Sequence, residues 1–116
     1  MFQPTKDLVA SVRAKQNCVD GKQAKQELAV NQGFLIDVRE ASEYQTGAPK
    51  AAIHIPRGLL EFKLPELAPD LKTAIYLYCA SGGRAVLAAE QLKRLGYQNI
   101  TVLTSSPTEL CTIFPS

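Results

Sequence analysis

The stretch Cys79-Ala80-Ser81-Gly82-Gly83-Arg84, entered through Tyr78, combines residue types that together can do covalent chemistry. A thiol attacks as its thiolate, and a thiolate is favoured by positive charge or by N–H groups aimed at the sulfur. Glycines at 82 and 83 permit left-handed backbone angles and leave no side chain over the amides, so successive N–H groups can converge as an anion-binding nest. A helix starting just beyond them adds unpaired N–H groups and a partial positive charge. Ionisation alone is a modest lever. Lowering a cysteine pKa from ~8.5 to ~7 raises the thiolate fraction about sixteenfold, yet costs about fivefold in intrinsic nucleophilicity. Donors aimed at charge that shifts during transfer are worth more, about 2.7–4 kcal/mol each. Cys79 is therefore the candidate nucleophile, and Ala80, Ser81, Gly82, Gly83 and Arg84 are the candidate binding residues. A plainer reading competes, with Cys79 a buried strand-end cysteine, the glycines an ordinary turn and Arg84 a solvated first-turn arginine.

Such a loop needs a strand before it and a helix after it. Ala74-Ile75-Tyr76-Leu77-Tyr78 is a nearly continuous apolar run, as are Phe34-Leu35-Ile36-Asp37-Val38 and Ile100-Thr101-Val102-Leu103. Runs of this kind suit strands covered on both faces of a parallel sheet. A weaker strand is expected from Ala52 to Ile55, stopped by Pro56. After the loop, Ala85, Ala88, Ala89, Leu92 and Leu95 fall on one arc of about 120° at helical spacing, predicting a helix from Gly83 to Leu95 capped by Gly96. Asp20 can cap a second helix running to about Val30 and ended by Gly33, and Thr5 to Lys15 is a weaker helical segment. Strands alternating with helices indicate an α/β domain with a mainly parallel sheet, and such sheets place ligands at the strand ends, where Cys79 lies.

The remaining features narrow the function. A chain of 116 residues fits one domain. Its formal net charge of +2 supplies no long-range field for nucleic acid or an acidic membrane surface. Cys18, Cys79 and Cys111 are widely spaced and odd in number, and there is a single histidine, His54. Neither a disulfide framework nor a zinc site is expected from that set. The N-terminal residues lack the pattern of a signal peptide and no segment approaches spanning length, so the expected location is the cytoplasm, where thiols stay reduced.

Several ordered blocks resemble the single-domain rhodanese family: Leu35-Ile36-Asp37-Val38-Arg39-Glu40, Glu43-Tyr44, Ala52-Ile53-His54-Ile55-Pro56-Arg57-Gly58, Tyr78 through Arg84, and Leu95-Gly96-Tyr97. The resemblance covers about Asp20 to Leu103. It divides the single domain into an N-terminal helical extension (1–19), a matching core (20–103) and an atypical C-terminal segment (104–116). It implies a central parallel sheet flanked by helices, Cys79 as sulfur carrier, and Ala80 to Arg84 wrapped around its persulfide. The implied reaction takes sulfur from thiosulfate or a related small-molecule donor and passes it to cyanide or another thiol, which can belong to a protein. Neither a metal nor an organic cofactor is required. Two departures stand out. Ala48-Pro49-Lys50-Ala51 rebuilds the turn where relatives commonly continue His-Ile-Pro-Gly, and Thr104 to Leu110 replaces a Gly-Gly turn and an aromatic-bearing helix.

Two other functions fit parts of the pattern. Cysteine-dependent phosphatases and arsenate reductases also wrap amides and an arginine around an oxyanion, but they resemble C-x5-R where this chain has C-x4-R, a narrower nest. A non-catalytic module that docks a partner or senses persulfides would use the same scaffold. Asp37, Arg39 and Glu43 are expected to form a structural ion-pair and capping network, and His54 to be a turn or edge residue. Arg57 and Lys63 fit either an anion pocket or a solvated helix face. Cys18 and Cys111 are expected to be peripheral, with a resolving or relay role as the alternative.

Overall fold

The three apolar runs form the middle of a five-stranded, wholly parallel sheet in a computed structural model that describes residues 2–114. In chain order the strands are β1 (Asn17–Val19), β2 (Phe34–Asp37), β3 (Ala52–His54), β4 (Ile75–Tyr78) and β5 (Ile100–Leu103). Their spatial order is β1-β5-β4-β2-β3. Residues of β4 register with both neighbours, Leu77 opposite Ile36 and opposite Val102. Every residue of β4 and of β5 is buried, which explains their unbroken apolarity. β1 is an edge strand that the sequence reading assigned to a helical extension; it pairs with β5, Cys18 opposite Val102. The weak strand from Ala52 forms the other edge, with Ile53 opposite Ile36.

The helices are α1 (Thr5–Arg13), α2 (Gly21–Asn31), α3 (Ala41–Gln45), α4 (Leu60–Leu67), α5 (Gly83–Leu95) and α6 (Pro107–Ile113). One face of the sheet packs on α1, α4 and α5 through Val12, Leu60, Leu64, Ala85, Val86, Ala88, Ala89 and Leu92, and Cys79 belongs to this cluster. The other face packs on α2 and α6 through Ala24, Leu35, Tyr76, Tyr78 and Leu110. Burial of Val86 and 47% exposure of Leu95 correct the expected arc of α5. α5 is flanked by α1 and α4, so its buried stripe is wider than one facing a sheet alone, while Leu95 sits on its last turn.

Asp20 caps α2 as expected, accepting from the Gln23 amide, but the left-handed residue that ends this helix is Gln32, not Gly33. Gly33 is required for a different reason, because a Cβ there would come within 2.4 Å of the Ala74 carbonyl oxygen. Gly96 does take the left-handed cap of α5. The Tyr76 hydroxyl donates to Glu27 at 2.6 Å and accepts from Asn31, tying α2 to β4. Among the described residues no helix is long and apolar enough to cross a membrane.

Candidate functional site

Cys79 follows β4 at the C-terminal end of the sheet and is 2% exposed, with its sulfur at the floor of the loop. The backbone N–H of Gly82 donates to Sγ at 3.1 Å and that of Ala85 at 3.4 Å. Gly82 supports this by turning the chain at φ +94° just before α5, so the two amides approach the sulfur from the loop and from the first turn of the helix. The nest is thus narrower in membership than the sequence reading has it. Ala80 and Ser81 are exposed at the rim, and Gly83 is the first helical residue and takes no left-handed angle.

Arg84 is engaged by a carboxylate. Its Nη1 and Nη2 donate to Glu43 Oε1 and Oε2 at 2.6 and 2.9 Å, a bidentate fork that clamps the loop to α3. The same contact holds the Glu43 carboxyl down at about 2 and pushes the Arg84 guanidinium up, with the neighbouring Cys79 adding to the latter. Glu43 also accepts from the Glu40 amide within a capping box, so α3 presents the carboxylate in a fixed place.

Behind the loop, Asp37 at the end of β2 is wholly buried and accepts from the Arg39 side chain and from the Tyr78 hydroxyl, the latter at 2.6 Å. Arg39 is 4% exposed and also donates to the Gly47 carbonyl. Burial and then Asp37 push the Tyr78 phenol far up, and Asp37 raises the Arg39 guanidinium. This network joins the C-terminal ends of β2 and β4 directly before Cys79, the structural role expected of Asp37 and Arg39. His54 lies on edge strand β3, bonded through Nε2 to the Arg39 carbonyl and stacked on Tyr44 at 4.4 Å. Arg57 pairs with Glu61 one turn on, and Lys63 is exposed.

The other thiols stand apart from Cys79. Cys18 is in β1, and its register partner Val102 faces Leu77, two strands across and two residues short of Cys79. That puts the Cys18 and Cys79 α-carbons roughly 12 Å apart, beyond disulfide reach. Cys111 is on α6, on the opposite face of the sheet, lining a cavity of about 260 Å³ with Arg39, Thr46, Gly47, Pro107 and Thr108. One residue at the loop carries no sequence signal at all: Arg13, whose guanidinium lies against Gly82. Its position depends on how α1 packs along α5, which spacing within α1 does not reveal.

With this geometry, the rhodanese-like domain family matches residues 20–109. The chain belongs to the rhodanese family. This rhodanese domain is 35% identical over 83 residues to a putative mitochondrial thiosulfate sulfurtransferase of Schizosaccharomyces pombe, covering 62% of this chain and 58% of that one. A sulfurtransferase of Allochromatium vinosum is 29% identical over 85 residues, 72% of this chain and 78% of its own length. Among solved structures, the polysulfide-sulfur transferase homodimer of Wolinella succinogenes matches with a TM-score of 0.75 at 27% identity, over 92% of this chain and 80% of that one. A human single-domain sulfurtransferase shares the fold at a TM-score of 0.69 and 23% identity, over 82% and 95% of the two chains. The rhodanese domain spans 58% of the S. pombe relative and 35% of a putative sulfur carrier protein of Bacillus subtilis.

Proposed function

We propose that this rhodanese domain is a sulfurtransferase that carries sulfane sulfur as a persulfide on Cys79. The observation that carries the reading is the buried Sγ receiving the N–H groups of Gly82 and Ala85, with Arg84 fixed beside it by Glu43. In the first step the Cys79 thiolate attacks the outer sulfur of thiosulfate, the S–S bond of the donor breaks, and sulfite leaves with the electron pair. In the second, cyanide or another thiolate takes the outer sulfur and the Cys79 thiolate is regenerated. Charge is conserved in each step and no electron leaves the sulfur atoms, so neither a metal nor an organic cofactor is needed. Gly82 and the first turn of α5 supply the anion-stabilising amides, Ala80 and Ser81 form the rim over which a donor arrives, and Arg84, neutralised by Glu43, anchors the loop to α3. The acceptor is a small molecule or a protein thiol, and a carrier thiolate of this kind works in a compartment that keeps thiols reduced, which we take to be the cytoplasm.

Intact mass after incubation with thiosulfate tests the chemistry without assuming an acceptor. The expected result is an increase of one sulfur atom, removed by cyanide or by excess thiol. Cys79→Ser should gain none, whereas Cys18→Ser and Cys111→Ser should gain it as the wild type does. Absence of the adduct in folded wild-type protein would leave a binding module, and equal loss in all three variants would replace a single carrier by a relay.

A further inference from the structure

α1 lies outside the span that matches the rhodanese-like family, yet it reaches the Cys79 loop. A Cβ on Gly83 would stand 3.7 Å from Val9 Cγ2, so the middle of α1 sits beside the start of α5. One turn later the Arg13 side chain runs back toward the loop, as helical side chains lean toward the N-terminus. A Cβ on Gly82 would meet Arg13 Nη2 at 2.8 Å, Nη1 at 3.3 Å and Cζ at 3.5 Å. The Gly82 amide in turn lies 3.1 Å from Cys79 Sγ, which places Nη2 within about 9 Å of the sulfur across a single residue. That is comparable with the screening length of ~8 Å at physiological salt, and screening is weaker still for a half-buried charge.

The pairing of the other arginines around the strand ends gives this position its meaning. Arg39 is bound to Asp37, Arg57 to Glu61 and Arg84 to Glu43. Arg84 together with Glu43 carries no net charge, and both of its terminal nitrogens are occupied. Arg13 is partly buried and, among the described residues, forms neither a salt bridge nor a side-chain hydrogen bond. A half-buried guanidinium beside amides that already point positive charge inward lacks a counter-charge in the protein, and a bound anion would supply it.

We propose that Arg13 is the donor-binding cation of this site, attracting and holding the anionic end of a dianionic sulfo-oxyanion donor such as thiosulfate while Cys79 attacks its outer sulfur. This rests on the persulfide reading of Cys79 and its thiosulfate-type donor, and adds a donor-binding residue outside the family-matching span. The loop amides orient the sulfur end, and Arg13 selects for negative charge at the other.

Charge selection is separable from loop support by paired reagents. Iodoacetate and iodoacetamide are similar in size and alkylate the same thiolate, but only iodoacetate is an anion. Arg13→Met removes the charge and keeps most of the aliphatic stem; Arg13→Lys keeps the charge. In Arg13→Met, half-saturating thiosulfate for persulfide formation should rise about tenfold and Cys79 alkylation by iodoacetate should slow several-fold. Alkylation by iodoacetamide should stay within twofold of wild type, and Arg13→Lys should recover most of the iodoacetate rate. Equal slowing with both reagents would make Arg13 a support for the loop and overturn the inference, as would no change with either. If Arg13→Met folds poorly by circular dichroism, the same comparison is made with Arg13→Gln. A wild-type protein that discriminates between the two reagents through Arg13 but gains no sulfur from thiosulfate would overturn the sulfo-oxyanion donor together with the persulfide reading. Loss of discrimination alone is the separate failure of Arg13.

Discussion

Gly82 and Gly83 look interchangeable in the sequence, and the structure separates them. Gly82 holds φ +94°, a backbone region in which a side chain is strained, and its amide is one of the two that reach Cys79. Gly83 is helical, and a Cβ there makes only an ordinary contact with Val9. Gly82→Ala should therefore destabilise by roughly 1–3 kcal/mol and sharply reduce persulfide formation. Gly83→Ala should stabilise by about 0.4–1 kcal/mol through the unfolded chain and leave sulfur transfer within twofold. Urea titrations with intact mass check both, and matching losses in the two variants would mean that the loop needs glycine at each position. Glu43 offers a pH test. Its carboxyl is held at about 2 from an ordinary 4.5, chiefly by Arg84. A lowered carboxyl pKa contributes stability above 4.5 that is lost as pH falls through about 2. The melting temperature of Glu43→Gln should lie below that of wild type at neutral pH, by an amount set by a half-exposed pair worth up to about 1 kcal/mol. The gap should close between pH 4.5 and 2; a gap independent of pH would assign the loss to the capping box instead. That Cys79, Gly82 and Arg84 share one strand-to-helix loop was legible, because they lie within six residues of one another between an apolar run and a helical pattern. Which carboxylate would engage Arg84 was not, because Glu43 lies 41 positions away and meets it only through the fold.

At the scale of elements, the ends of β2 and β4 are joined by a buried polar network in a sheet otherwise held by apolar packing. Tyr78→Phe removes one hydrogen bond and leaves Asp37 its Arg39 partners, so it should cost roughly 1–2 kcal/mol. Arg39→Met strands a buried carboxylate and should cost about 3–5 kcal/mol. Chemical denaturation of the two variants checks the order, and a larger loss for Tyr78→Phe would show that the hydroxyl, not the guanidinium, neutralises Asp37. The central strands and α5 were legible from apolar runs and helical spacing alone. β1 was not, because Asn17-Cys18-Val19 is too short to show a period and becomes a strand by pairing with β5. α6 had a readable signal that the altered C-terminal segment obscured. Ser106 and Glu109 form a reciprocal capping box with Pro107 at the first helical turn, which starts the helix.

Across the whole molecule, the segment outside the family-matching span packs against one side of the Cys79 loop. α1 packs along α5, Val12 is 5% exposed within the same cluster as Cys79 and Ala85, and Val9 and Arg13 reach Gly83 and Gly82. β1 then continues the sheet from α1, so residues 5–19 are tied to the core by both a helix face and a strand ladder. An N-terminal arm that merely preceded a finished domain would tolerate loss of its apolar contacts. Val12→Ala removes two carbons from a buried site, which at about 0.8 kcal/mol per CH₂ plus a partly unfilled cavity predicts a loss of roughly 1.5–2.5 kcal/mol in global stability. Amide exchange measured on the same variant distinguishes the two pictures further. If α1 is integral to the core, exchange should accelerate across α1, α5 and β5 together, since they open as one packed unit. If it is a separable arm, only the amides of residues 5–13 should speed up while the melting temperature holds. The second pattern would also remove Arg13 from a fixed place beside Gly82, because a guanidinium on a freely opening helix cannot hold an anion in register with Cys79.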